Sequence, residues 1–393
     1  MACVGLVIGQ LRGAHLSIRA SAPLLSTAVT QQMQHKRGIV GKALREPGYS
    51  RPAPFPYKEK EYTFWRALLD DTTQRFDENS KIIVVDGPPT GNKDKFAKEL
   101  ADELDMFYIP GANMDSIYVN EYGFDRRTIN HKLPQIFHSV DIEDFLRNPN
   151  RRATTRLQFH LMKIRFTQYQ DAINHLLNTG QGVVMNRCIY SDPVFMNMLV
   201  DCGFSNANAR EYYNECLQQG MVEYLRPHLL IYLDIPVEKI IENVKARNRP
   251  EELNSKVYTP EVLSTLELHY KNHLRNISEH SEVLIYDWSE EGDAEVVVED
   301  VSRIDFDKYT RYDKKLKDWR FRDEWAWKEK RIKFSCMRYK FERWLNVPKL
   351  TVPEIVANGE ERLDFDHIMA QTPGNKYAKG FNPDMGDKVL FKL

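Results

Sequence analysis

A chain of 393 residues with 42% hydrophobic residues, 28% charged residues and a net charge of −1 can bury a real core, as one large α/β domain with extensions or as two modest domains. The near-neutral balance argues against bulk electrostatic capture by nucleic acid or anionic lipid, and no apolar run approaches the roughly 18 residues of a membrane span. Five cysteines, Cys3, Cys188, Cys202, Cys216 and Cys336, show neither a C-x-x-C pair nor metal spacing, which fits a reduced compartment.

From Met1 to Arg45 there is no Asp or Glu, while Arg12, Arg19, Lys36, Arg37, Lys42 and Arg45 lie among Leu, Ile, Val, Ser and Thr. That is the composition of a mitochondrial transit peptide. A secretory signal is the rival, since Val4–Ile8 is apolar, but that run is short and no basic residue precedes it. A plain tail is the third reading. The leader is taken as residues 1–40 and excluded from the fold, followed by a linker and helical lead-in over 41–80 that begins Pro-rich (Pro47, Pro52, Pro54, Pro56) and becomes helical at Tyr57–Phe76.

Strands and helices then alternate. Lys81–Asp86 is a continuous apolar run suited to a central parallel strand. Lys93–Leu104 is a helix with Phe96, Leu100 and Leu104 on one face, and Met106–Ile109 is a short strand. Gly111–Asn150 carries Pro and Asn breaks and reads as loops with short helices. A long helix from about Ala153 to Leu177 stops at Asn178-Thr179-Gly180. Strands at Gly182–Asn186, His228–Asp234 and Glu282–Tyr286 are interleaved with helices at Ala207–Tyr224, Val237–Arg247 and Pro260–Glu279. This alternation over 81–300 predicts a five-stranded parallel sheet covered on both faces, with ligands beyond the strand C-termini.

After residue 300 the pattern changes. Asp307–Trp344 has fourteen Lys/Arg against seven Asp/Glu and four of the six tryptophans, Trp319, Trp325, Trp327 and Trp344. Phe334, Met337, Phe341 and Trp344 are helically spaced, and Thr372–Leu393 reads as an extended, surface-hugging tail. The basic-aromatic segment is a candidate docking surface, because Trp, Tyr and Arg favour interfaces. Packing against the preceding domain is the competing reading. Nucleic-acid binding is disfavoured by the near-neutral charge and the lack of an RNA-binding motif.

The chemistry-bearing stretch is Gly87-Pro88-Pro89-Thr90-Gly91-Asn92-Lys93-Asp94, placed where a phosphate loop, G-x-x-x-x-G-K-[ST], follows the first strand. Gly87 and Lys93 are in register, with Gly91 inside the turn. Asn92 stands for the second glycine and Asp94 for the Mg²⁺-binding hydroxyl. Pro88 and Pro89 have no N–H. Losing two charge-assisted contacts of about 1.5–3 kcal/mol each weakens triphosphate binding roughly a hundredfold or more. Asp94 either repels phosphate or ligates Mg²⁺ itself, so that substitution alone does not prove inactivity. Arg187, ending the strand Gly182–Asn186, is a phosphate clamp or a salt-bridged structural arginine. Lys245, Arg247 and Arg249 are lid cations or a solvated helix end. His269 and His273 have the spacing of a metal pair but no third ligand, so no metal site is assigned.

These segments resemble the deoxynucleoside kinase family: KIIVVDGPPTGNKDKFAKELADEL, RLQFHLMKIRFTQYQDAINHLLNTGQGVVMNRCIYSDPVF and RPHLLIYLDIPV. With the C-terminal PGNKYAKGFNPDMGDK, the resemblance over 57–393 is closer to the kinase-like accessory subunits of mitochondrial NADH:ubiquinone oxidoreductase, respiratory complex I. It implies a three-layer, P-loop kinase-like α/β fold with a helical and extended C-terminal extension over 301–393. By position, Gly87 and Lys93 match the family's phosphate loop, and Gln158 falls where a glutamine meets the nucleobase. The family's Glu-Arg-Ser turn is Asn186-Arg187-Cys188 here, keeping the arginine without the carboxylate. The family's Glu-Pro-Val turn, which carries the general base, corresponds to Ile109-Pro110-Gly111, again without a carboxylate.

Transfer to a nucleoside hydroxyl needs a proton acceptor and metal-aided charge neutralisation, and both are impaired. The resemblance therefore implies a non-catalytic subunit, peripheral to the inner membrane on the matrix side of the membrane arm. Its partners would be other complex I subunits, and it would need no cofactor. An active mitochondrial deoxynucleoside kinase is the alternative. A vestigial site formed by Gly87, Gly91, Lys93, Asp94, Gln158, Arg187 and Arg247, holding a nucleotide without turnover, lies between the two.

Overall fold

The computed structural model describes residues 38–45, 51–345, 347, 351–375, 377 and 379–387. Most of the leader, Pro47 of the linker and the end of the tail fall outside them. Five strands, β1 (Ile82–Asp86), β2 (Phe107–Ile109), β3 (Val183–Asn186), β4 (Leu229–Asp234) and β5 (Glu282–Asp287), form one sheet in the order β2-β3-β1-β4-β5. Every pairing is parallel.

The apolar runs need both faces covered, because successive side chains point to opposite sides of a strand. Ile82 and Val84 join Val183, Met185, Leu230 and Tyr232 on one face. Ile83 and Val85 join Val184, Leu229, Ile231 and Leu233 on the other. The second face is covered by Phe96, Ala97, Leu100 and Leu104 of helix α1 (Lys93–Leu104) and receives Ile39 from the start of the described chain. The first face is covered by α2 (Arg151–Thr179), α3 (Asp192–Asp201), α4 (Ala207–Gly220) and, beyond α5 (Val237–Arg247), by α6 (Pro260–Ile277). Helix α7 (Ala294–Ser302) returns to the second face through Val297 and Val301. The result is the expected three-layer α/β architecture.

Glycine is required where α2 stops. Gly180 has φ +72°, and a Cβ there would lie 1.8 Å from the Arg75 carbonyl oxygen. Two expectations are corrected. The lead-in is mostly irregular, with helix only at Phe64–Ala67 and Thr73–Arg75, because its side chains are anchored one by one to other elements. The basic-aromatic segment forms α8 (Glu324–Cys336) and α9 (Arg338–Trp344), and much of it is internal. Trp319, Phe334 and Phe341 are buried in the same core as Tyr169 and Tyr224, and Trp319 Nε1 donates to the Arg226 carbonyl at 2.7 Å. These residues are therefore packed against the preceding domain and are not available for docking. Helix α10 (Gly359–Ala370) has no buried residue. Its Phe365 stacks on Phe137 at 4.2 Å, so the extension hugs the surface.

Candidate functional site: a self-satisfied phosphate loop

All five strands end at one edge, and β1 is central there. The chain leaves β1 toward the β2 side and later recrosses to β4, which opens a crevice at the end of β1,. Gly87 turns the chain out of the strand with φ +153°, and a Cβ would approach the Leu233 carbonyl oxygen to 2.6 Å. Thr90 (φ 79°) and Asn92 (φ 44°) are both left-handed, a conformation unfavourable for a β-branched residue. The loop delivers Lys93 to the first turn of α1.

Its functional side chains, however, are already partnered. Lys93 Nζ donates back to the Pro88 carbonyl. Burial, aided by the Arg187 charge, lowers this ammonium to about 7 despite the nearby Asp86 and Asp94. Asp94 Oδ1 accepts from the Tyr108 hydroxyl at 2.7 Å and from the Gly111 N–H at 3.0 Å. Burial pushes its carboxyl up, but the Asn186 amide, Gly111 and Tyr108 outweigh that and hold it below the usual carboxylate range. A divalent cation would have to compete with these donors for Asp94, so the residues present do not make a ready Mg²⁺ site. The Asn92 amide donates to Glu291.

Arg187, just past β3, is salt-bridged within the chain. It is held in a left-handed conformation at φ 60°, its Nε lies 3.2 Å from Asp86 Oδ1, and its Nη2 donates to the Gly87 carbonyl at 2.8 Å. Asp86 Oδ1 also accepts from the Gly87 N–H at 2.7 Å and from the Tyr270 hydroxyl at 2.9 Å. Burial would raise the Asp86 carboxyl, and Arg187 with its hydrogen bonds keeps it ionised and lowered. Tyr270 and Asp86 went unrecognised in the sequence. The available signal was a lone acid closing an otherwise apolar strand.

Gln158, on α2, lines an apolar cavity of about 210 Å³ together with Pro89 of the loop, Arg187, Leu157, Leu161, Phe195 and Val262. Its amide donates to Asp192 Oδ2 at 3.0 Å. Asp192 is fully buried, pairs with Arg165 and accepts from the Tyr213 hydroxyl. Arg165, seven residues after Gln158 on the same buried face, was the missed member, and that spacing was its signal. Gly91 and Arg247 line a different, polar cavity of about 290 Å³ with Asn92, Trp288 and Glu291. Arg247 and Arg249 lie 4.0 and 3.7 Å from Glu252 Oε1. His269 Nε2 lies 2.8 Å from Asp201, and no group of three or more potential metal ligands occurs among the described residues.

The parallel sheet, its strand order and the crevice at the end of β1 define a kinase-like α/β protein, and the deoxynucleoside kinase family model matches residues 83–318. The mitochondrial NADH dehydrogenase (ubiquinone) 1 alpha subcomplex subunit 10 of Mus musculus is 34% identical over 336 residues, covering 84% of this chain and 89% of that protein. The Bos taurus subunit is 33% identical over 331 residues, covering 82% and 90%. Deoxyadenosine kinase of Dictyostelium discoideum is 34% identical over 163 residues, covering 41% of this chain and 62% of that enzyme. The chain therefore belongs to the deoxynucleoside kinase family, and within it to the group of the alpha subcomplex subunit 10 proteins.

Proposed function

We propose that this protein is a non-catalytic accessory subunit of mitochondrial NADH:ubiquinone oxidoreductase, supporting its assembly or stability on the matrix side of the membrane arm. The observation that carries the reading is the extent of the likeness. It covers 84% of the chain for the mouse subunit, whereas the kinase family model spans only 83–318, so the likeness reaches beyond the kinase-like part.

The site supports the same reading. Lys93, Asp94 and Asn92 are each committed to a partner inside the protein, and the Ile109-Pro110-Gly111 turn offers no carboxylate to take a proton from a sugar hydroxyl. No helix among the described residues is long and apolar enough to cross a membrane, in keeping with peripheral attachment. An exposed aromatic cluster supplies a docking face for a neighbouring subunit. Phe64 is in edge-to-face contact with Trp65 at 5.6 Å and with Trp325 at 5.7 Å, and Trp65 is 75% exposed. Trp and Phe that stay in water together are typical of interface anchors.

The apolar cavity beside Gln158 favours a second reading, an active mitochondrial deoxynucleoside kinase, or a pocket that holds a nucleotide without turnover. Native-gel fractionation of mitochondria separates the readings. Co-migration of the protein with NADH dehydrogenase activity supports the subunit, and a small free species supports the kinase.

A further inference from the structure

Between α2 and the C-terminal extension lies a second cavity, of about 460 Å³. It is on the other side of α2 from the crevice: Leu157, Gln158 and Leu161 face the crevice cavity, while Arg156, Phe159 and Lys163 face this one. Its apolar wall comes from Phe159, Met162 and Tyr212 of the kinase-like part and Leu345, Ile355 and Phe365 of the extension.

Arg126 and Arg156 also line it, both half-buried. The Arg126 guanidinium lies 4.9 Å over the Tyr118 ring and 5.9 Å over that of Phe365. Arg156 Nη1 donates to the Ile136 carbonyl and, at 3.3 Å, to that of Gln135. The Nε of each is out of water and has no hydrogen-bond partner. Other arginines buried in this protein have an aspartate: Arg165 has Asp192, Arg187 has Asp86 and Arg331 has Asp70. Arg126 and Arg156 have no carboxylate among the described residues that bears on their charge. Burial depresses both, Tyr118 partly offsets this for both, and Arg152 and Arg126 depress Arg156 further.

The remaining polar groups do not compensate them. Arg362 is answered by Asp366 at 2.9 Å, His138 is held by the Leu133 carbonyl, and Lys163 and Glu342 are exposed at the rim. His160 also lines the wall and carries no negative charge. A guanidinium stays protonated at ordinary pH, so two like charges line one half-polar, half-apolar cavity with no carboxylate among the described residues paired to either, an arrangement that folding disfavours.

We propose that this cavity binds a small amphiphilic anion, with its phosphate or carboxylate head between Arg126 and Arg156 and its apolar body against Phe159, Leu345, Ile355 and Phe365. The volume lies within the roughly 300–1,000 Å³ typical of ligand sites, and paired guanidinium groups match such heads. The site needs the extension to be complete, so it is separate from the phosphate loop.

The test is calorimetric titration of the full-length chain with octyl phosphate, inorganic phosphate and octanol, on wild type and on R126Q/R156Q. The expected result is octyl phosphate bound at least tenfold more tightly than either half-molecule, with at least a tenfold loss in the double variant. Undiminished binding in R126Q/R156Q, no octyl phosphate binding to wild type, or inorganic phosphate bound as tightly as octyl phosphate would overturn the proposal. If the double variant does not fold, Arg126→Gln alone is expected to weaken binding severalfold, and an unchanged affinity again counts against it. Vesicles containing phosphatidic acid identify the source. Extraction of lipid into the protein points to a membrane lipid, and binding of soluble octyl phosphate without extraction points to a free metabolite. Either outcome supports the anion site.

Discussion

The Tyr108 hydroxyl donates to Asp94 Oδ1 across 2.7 Å, and this contact places the first residue past Lys93 under the control of β2 instead of a phosphate-bound metal. With the Gly111 N–H on the same oxygen, it holds this carboxylate in the first turn of α1. Lys93 and Asn92 are likewise bonded within the chain, to the Pro88 carbonyl and to Glu291.

Restoring the loop residues should therefore improve nucleotide binding. Asn92→Gly with Asp94→Ser removes a fixed anion and frees the approach, and Mg-ATP affinity measured by calorimetry is expected to rise at least tenfold, about 1.4 kcal/mol. An unchanged affinity would show that Asp94 does not oppose phosphate.

Lys93 makes stability depend on pH. Its folded value is lowered to about 7, against an ordinary lysine value of about 10.4. Between these values the unfolded chain binds the extra proton, so this residue makes stability rise as pH increases from about 7 toward 10, by at most about 1.4 kcal/mol per unit. In Lys93→Met that contribution disappears, and chemical-denaturation midpoints at pH 7, 8 and 9 should show a flatter slope than wild type. Identical slopes would contradict the buried, weakened ammonium.

Arg331 pins α8 to the lead-in. It is fully buried, lies 3.6 Å over the Tyr62 ring, pairs with Asp70 at 3.1 Å and donates to Asn178 Oδ1 at 2.8 Å. Arg331→Met leaves Asp70 with Arg75 and Asn178 short of a donor, and is expected to cost about 2–4 kcal/mol, with earlier proteolysis of the extension. A melt within experimental error of wild type would remove this anchor from the account.

The exposed aromatic cluster should matter to assembly and not to folding. Trp65→Ser with Trp325→Ser is expected to leave the isolated chain within about 0.5 kcal/mol of wild type. Incorporation into the NADH dehydrogenase band on native gels should fall severalfold or more, as loss of interface anchors does. Normal incorporation would place the docking face elsewhere.

Much of the fold was legible because the central strands are long apolar runs and the helices between them carry one-sided stripes. Lys93–Leu104 and Val237–Arg247 are found at their expected bounds, and Gly180 stops α2 where the sequence signalled. Helix α10 gave no such stripe, since it buries nothing, and α3 went unseen although Pro193 marks its start. In the site, Gly87 and Lys93 were readable from spacing alone. The commitments of Arg187 to Asp86, of Asp94 to Tyr108 and of Gln158 to Asp192 were not, because each joins segments that only the sheet order brings together. For the same reason the sequence left open whether Trp319, Phe334 and Phe341 face a partner or the protein's own core.

The most direct test is phosphoryl transfer by the purified full-length chain, using labelled ATP, Mg²⁺ and a panel of deoxynucleosides. No labelled monophosphate above the level of a Lys93→Ala control is expected. Robust phosphorylation that disappears with Lys93 would contradict a loop whose side chains are spent on the protein itself.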